Sequence, residues 1–318
     1  MESPFECVLD ARASLGECPV WSSDEQALYW VDINGPSLNR FDPKSRVNLA
    51  WPMPSSIGSF ALRDQGGFVA ALRDGIWLID RKGRLGDRMA EAPYDPSHHR
   101  FNDGRADRSG RFWVGTMNER RDAASGALYC LDGYFALTRV LDGIMISNGL
   151  AWSPDGRTLY HADTPTRTVN AYAFDEVAGT VSGKREFARF DGETERPDGA
   201  AVDSDGCYWI AFYRGGKVVR LSPRGERLAE YALPAMCPTM CAFGGPEMRT
   251  LYVTTARQNR EPDELARLPQ SGGLFAMQVD TPGLPEPKLP ISSMSPVEVA
   301  NDAPDADAPR LLDASIGR

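Results

Sequence analysis

Short apolar runs broken by polar turns make up most of this chain, and no long helical periodicity interrupts them. The segment Ser147–Asp163 shows the unit: an apolar run from Gly149 to Trp152, the turn Ser153-Pro154-Asp155-Gly156, then a second run through Leu159 and Tyr160. Asp-Gly between two apolar runs predicts a β-hairpin, because glycine takes the positive φ that such a turn demands. The unit recurs. Arg196–Trp209 turns at Asp205-Gly206, Arg100–Trp113 turns at Gly110, and Leu15–Asp24, running on to Trp30, is a copy without the turn glycine. Weaker copies start at Ile57 and Pro238. Successive copies begin about 41 to 50 residues apart, the period of propeller blades.

Further short runs follow the hairpins: Gly75–Asp80, Gly126–Asp132, Thr168–Phe174, Gly216–Leu221 and Gly273–Met277. Roughly four strands per copy is the content of one blade, so six copies predict an all-β, six-bladed β-propeller. A β-sandwich array would not need a fixed period of this length. The blades fall at roughly 11–50, 51–95, 96–140, 141–190, 191–232 and 233–290, a single domain over residues 1–290. Phe5–Leu9 predicts a strand that closes the last blade from the opposite terminus and removes its open edge. The charged stretch Gln258–Gln270 is expected to be a short helix or a surface loop, and residues 291–318, rich in Ser, Pro, Asp and Ala, a mobile tail.

Composition narrows the function classes. Of 318 residues, 42% are hydrophobic and 25% charged, the balance of a soluble globular protein. A net charge of −9 disfavours nucleic acid or an anionic membrane as partner and is compatible with a cation. No basic, apolar leader precedes Phe5 and no run approaches membrane-spanning length, so a cytoplasmic protein is expected, monomeric or a weak homo-oligomer. The six cysteines (Cys7, Cys18, Cys130, Cys207, Cys237, Cys241) form no CxxC pair and read as buried free thiols. His98 and His99 read as loop residues and His161 as structural. No G-x-S-x-G elbow, P-loop or H-E-x-x-H motif is present, which removes the common serine-hydrolase, nucleotide and zincin readings.

Equivalent positions in successive blades lie at similar height around the propeller axis. Aligned on the position four before Trp152, the copies carry Glu17, Gly58, Asn102, Asn148, Asp198 and Thr239. An Asp or Asn before Gly is, taken singly, ordinary turn chemistry. Glu is no turn residue, however, and the coincidence of register repeats. Two carboxylates converging in a partly buried place repel and lose hydration, so they require a cation. Oxygen donors without Cys or His suit Ca²⁺, Mg²⁺ or Mn²⁺. A metal site at one end of the channel is therefore expected at Glu17, Asn148 and Asp198, with Asn102 facing metal or substrate. Arg100, two residues before Asn102, either reaches into the channel on the same strand side or lies in solvent.

At these residues the chain resembles the SMP-30/gluconolactonase/regucalcin-like family. The carriers are Leu15-Gly-Glu17-Cys-Pro-Val-Trp21, Arg100-Phe-Asn102-Asp-Gly104, Gly115-Thr-Met117, Ser147-Asn148-Gly-Leu-Ala-Trp-Ser-Pro-Asp-Gly156, Pro197-Asp198-Gly199, Gly244-Gly-Pro and Leu251-Tyr-Val-Thr-Thr255, in order over about 5 to 290. The resemblance implies a metal-dependent sugar lactonase. Glu17, Asn148 and Asp198 would bind one divalent ion, Ca²⁺ foremost, with Mn²⁺, Mg²⁺, Zn²⁺ or Fe²⁺ as alternatives. Arg100 and Asn102 would contact the lactone, and Asp198 would double as acid and base, unless a metal-held hydroxide starts the attack. Where regucalcin-like members carry an acidic pocket residue, this chain has Arg120 with Glu119 beside it, so both are expected at the substrate. The competing readings are a hydrolase of other esters or phosphotriesters on the same scaffold, and a calcium-binding regulatory propeller without catalysis.

Overall fold

The computed structural model describes residues 3–291 and the backbone of 310–312. The remainder of the 291–318 segment, expected above as a tail, lies outside the described residues. Six antiparallel sheets follow one another along the chain, five of four strands and the first of five, and only the first and last recruit a strand from elsewhere in the sequence. The first strands of the sheets are Gly16–Ser22, Ile57–Leu62, His99–Ala106, Ser147–Trp152, Arg196–Val202 and Pro238–Gly244. They pack against one another around a common axis. The expected six-bladed propeller is the architecture observed.

Strand character changes with radius. The inner strands are buried on both faces, as in Pro238–Gly244. Outer strands such as Leu137–Ile144 and Arg227–Ala232 are largely exposed, which is why charged residues collect there. Between blades the seams are filled by aromatic pairs. Tyr29 meets Phe68 at 4.9 Å, Trp113 meets Trp152 at 5.9 Å, Tyr160 meets Tyr208 at 5.2 Å and Trp21 stacks on Tyr252 at 5.8 Å between ring centroids. Such pairs add to their area burial through edge-to-face and offset geometry.

The hairpin turns form where the glycines predict them, with Gly110, Gly156 and Gly206 at φ of 76°, 71° and 81°. Two of the turns are tied down identically. Asp107 accepts from the Trp113 indole at 2.8 Å and Asp203 from that of Trp209 at 2.9 Å, so each turn carboxylate anchors the core tryptophan six residues on. The strand Glu6–Leu9 pairs with Leu274–Gln278 and completes the sixth blade, so the ring is closed by the chain's own beginning. At the other terminus Arg310–Leu312 adds to the outer strand Val47–Pro52 of the first blade. The charged insertion is a short helix, Pro262–Arg267. Across the far end of the inner strands, residues 282–289 bridge Asp203 and Arg63, and Glu286 faces buried Arg105 at 3.5 Å. All six cysteines are buried and free. Among the described residues no helix is long and apolar enough to cross a membrane.

Candidate metal and substrate site

Each inner strand breaks register at the same height. Pairing shifts between Glu17 and Val20, Ile57 and Ser59, Phe101 and Gly104, Asn148 and Ala151, Pro197 and Ala200, and Pro238 and Met240. A bulge re-aims a side chain out of the sheet's alternation. Here it acts on Glu17, Gly58, Asn102, Asn148, Asp198 and Thr239. The backbone pays part of the cost locally, with Cys18 at φ 46° after Glu17 and Gly149 at φ 63° after Asn148. A Cβ on Gly149 would also sit 2.5 Å from the Tyr208 hydroxyl, so both dihedral and space demand glycine there.

The two blades without an oxygen donor have physical reasons. A Cβ at Gly58 would lie 2.4 Å from the Phe101 carbonyl oxygen, so the neighbouring blade occupies that place. Thr239 spends its hydroxyl on the Gly16 carbonyl and Thr254. The other four residues line one cavity of about 540 Å³ together with Arg100. They lie deep in it, with Glu17 9% and Asp198 6% exposed.

A hydrogen-bonded chain orients the amide side of this floor. Arg100 Nη1 donates to Asn102 Oδ1 at 2.6 Å and to the Phe101 carbonyl at 2.9 Å. Asn102 Nδ2 donates to Asn148 Oδ1 at 2.8 Å and to the Ser147 carbonyl at 2.9 Å. Asn148 Nδ2 donates to Thr164 Oγ1 at 2.7 Å, whose hydroxyl donates to the Pro197 carbonyl at 2.7 Å. With both amide nitrogens engaged, each amide's oxygen orientation is determined. Outer partners of this kind set the aim of a ligand oxygen.

The acidic side is frustrated. Burial, then the charges of Asp198 and Asp103, push the Glu17 carboxyl well above its ordinary range, with Arg100 opposing. Burial and then Asp103 do the same to Asp198. Asp103 itself is pushed up to about 6 by burial, although the Leu150 amide donates to its Oδ2 at 2.9 Å. Its Oδ1 is buried without a partner among the described residues. Buried carboxylates that repel, beside aimed amide oxygens, are the donor set of a hard divalent cation. Among the described residues no three His, Cys, Asp or Glu side chains converge as a metal cluster, so the set depends on the oxygen of Asn148.

The structure brings Glu17, Arg100, Asn102, Asn148 and Asp198 into this one cavity. Arg100 is buried, not solvated. Glu119 stands behind the wall. It lies 3.6 Å from Arg100 Nε and accepts from Arg73 at 2.8 and 3.0 Å, a bond that, before burial opposes it, holds its carboxyl below the usual range. Arg120 is exposed and outside the cavity wall, which takes Arg121 instead. The Asn118 side chain caps the turn at the Arg120 amide, and Arg121 follows at φ 56°, which swings the second arginine over the cavity. His161 is structural, as expected: buried, 2.8 Å from Ser147 Oγ, and pushed down to about 4 by burial. Sequence reasoning missed Thr164, Asp103, Arg121, Arg167 and Arg196. Only Arg196 carried a signal, since it precedes Asp198 as Arg100 precedes Asn102.

Fold and geometry together define a six-bladed propeller with one cavity in which Glu17, Asn102, Asn148 and Asp198 meet. A sequence profile described as the SMP-30/Gluconolactonase/LRE-like region matches residues 15–257. The chain belongs to that family. It is 49% identical over 289 residues to a 6-deoxy-6-sulfogluconolactonase of Pseudomonas putida, covering 90% of this chain and 99% of that protein. It is 36% identical to human regucalcin over 85% of this chain and 93% of that one. A calcium-binding regucalcin from Agrobacterium tumefaciens superposes with a TM-score of 0.85 at 28% identity, covering 89% of this chain and 96% of that chain. Both the oxygen donors and this likeness to a calcium-binding protein point to a divalent metal.

Proposed function

We propose that this chain hydrolyses a sugar-acid lactone, an aldono-1,4- or 1,5-lactone, to the aldonic acid. The observation that carries the reading is the convergence of buried Glu17 and Asp198 in one cavity with the pinned pair Arg100 and Asn102. Relatives named for lactone hydrolysis, at 49% and 33% identity, support it over a non-catalytic ion binder or a phosphotriesterase. Glu17, Asn148 and Asp198 would hold the divalent ion, Ca²⁺ by donor type, and a bound ion there would supply Lewis-acid polarisation of the lactone carbonyl.

The chain's own groups do the rest. Asp198 takes a proton from the attacking water as the water oxygen bonds to the carbonyl carbon. It returns that proton to the ring oxygen as the carbon–oxygen ring bond breaks, and the product acid then ionises. Arg100, locked by Asn102 and Glu119, presents its remaining donors to the lactone oxygens without having to be ordered during reaction. Proton release at constant pH from a panel of aldonolactones tests this. Hydrolysis that needs added metal and disappears in Asp198→Ala is expected. Metal binding with no turnover above the spontaneous rate would sink the reading.

A further inference from the structure

The floor of the cavity and its mouth differ in charge. The floor pairs two carboxylates with one arginine, whereas Arg121, Arg167 and Arg196 line the wall above it, against the single exposed acid Glu193. None of the three arginines makes an ion pair within 4.0 Å among the described residues. This is a basic mouth on a chain of net charge −9.

Each arginine is placed for a ligand rather than for the fold. Arg121 lines the same cavity as Asp198, and its side chain donates no hydrogen bond among the described residues. Arg167, at φ 55°, has only Nη1 engaged, at 3.3 and 3.4 Å from the Asp191 and Gly192 carbonyls. Its other guanidinium nitrogens have no partner among the described residues. Arg196 occupies the register of Arg100, pairing with Tyr213 as Arg100 pairs with Met117. Arg100 is tied by three groups, yet the Arg196 side chain donates to none among the described residues.

A lactone whose carbonyl and ring oxygen face Asp198 has its ring hydroxyls and its exocyclic arm left to meet this mouth, and of these the terminal position of the arm is where a sugar carries an anionic group. We propose that Arg121, Arg167 and Arg196 form an anion subsite that selects a sugar lactone whose exocyclic arm ends in a tetrahedral oxyanion, a sulfonate or phosphate. Arginine's planar fork suits such groups, and charge-assisted bonds are its strongest contribution. The proposal rests on the lactonase reading above.

The test compares the metal-loaded protein on glucono-1,5-lactone and on its 6-deoxy-6-sulfonate and 6-phosphate counterparts. The variants are Arg196→Gln, which breaks no bond, and Arg167→Ala combined with it. Calorimetry of the ring-opened acids, gluconate against 6-deoxy-6-sulfogluconate and 6-phosphogluconate, runs in parallel and needs no turnover. The expected kcat/KM ratio of anionic to neutral lactone is about tenfold or more, falling about tenfold per arginine removed. Binding of the two acids with an anionic arm weakens in step, and more so at low salt. The better of the two anions identifies the source. A ratio near one in the unmodified protein, or a ratio that both variants leave intact, overturns the proposal. If no lactone is hydrolysed, the lactonase reading fails and calorimetry alone decides. Arginine-dependent preference for the two acids with an anionic arm over gluconate then keeps the subsite, and equal binding of all three acids removes it.

Discussion

The third and fifth blades are built to the same plan and end in different chemistry. In both, a turn aspartate anchors a core tryptophan, an arginine opens the inner strand, and a bulge two residues later aims a polar side chain at the axis. In the third blade the aimed residue is Asn102, and it locks Arg100 to itself. In the fifth it is Asp198, a carboxylate in conflict with its surroundings, and Arg196 is left without a partner among the described residues. One blade is finished internally; the other is left open, and on the reading proposed above it would be completed from outside, by a cation at its acid and a ligand at its arginine. The difference teaches that in a repeat protein function resides where the repeat leaves its bonds unmade.

Making the fifth blade a copy of the third is the most damaging test. Asp198→Asn should lower kcat by about 10³-fold or more, since it removes both the proton carrier and one of two carboxylates. Stopped or steady-state hydrolysis with measured metal content checks it, and retention of a tenth of the activity would break the distinction between the blades. Asn102→Ala opens the third blade. It leaves Asn148 Oδ1 without its donor and Arg100 without its acceptor, so metal affinity should fall about 10- to 100-fold. Titration with the metal, followed by calorimetry, reads this directly.

The conflict at Asp198 and Glu17 also has a pH signature. Both folded carboxyls hold protons more tightly than unfolded ones, so the folded state binds more protons above the ordinary carboxylate range near 4. Stability of the metal-free protein should therefore fall as pH rises from about 4 through the raised folded values. Metal binding relieves the repulsion, so its increment in Tm should be larger at about pH 8 than at about pH 5, and the gap should shrink in Asp198→Asn. An increment independent of pH would count against the buried-carboxylate account. The smallest expected effect is that of Glu119→Gln, which loosens Arg100 from behind. The pair is long and half-exposed, so kcat/KM should change by no more than about fivefold, mostly through KM.

Much of this was legible before any coordinates. Turn glycines and tryptophans in register revealed six blades, and alignment of the copies placed Glu17, Asn102, Asn148 and Asp198 at one height. What the alignment could not contain is whatever depends on contacts between blades or on local twist. Thr164 matters only because it spans from Asn148 to the Pro197 carbonyl of the next blade. Arg121 replaces Arg120 at the cavity because one residue takes a left-handed conformation. Asp103 hides behind Asn102, and only burial turns it from a turn residue into a charge felt by both acids. The bulge arises from pairing between strands, and it aims Glu17, Asn102, Asn148 and Asp198 at the cavity.

The strand that closes the ring has a consequence for biosynthesis. Glu6 pairs with Ala276, so the Glu6–Leu9 segment must wait on the ribosome for a partner 270 positions later. At roughly 5–20 residues per second, that is roughly 14 to 54 s with the Glu6–Leu9 backbone unpaired. Five blades can hairpin locally as they emerge, but the circle shuts only once Leu274–Gln278 has emerged. Until then the nascent propeller is an open arc, and the four oxygens at its axis gather into one cavity only as it closes.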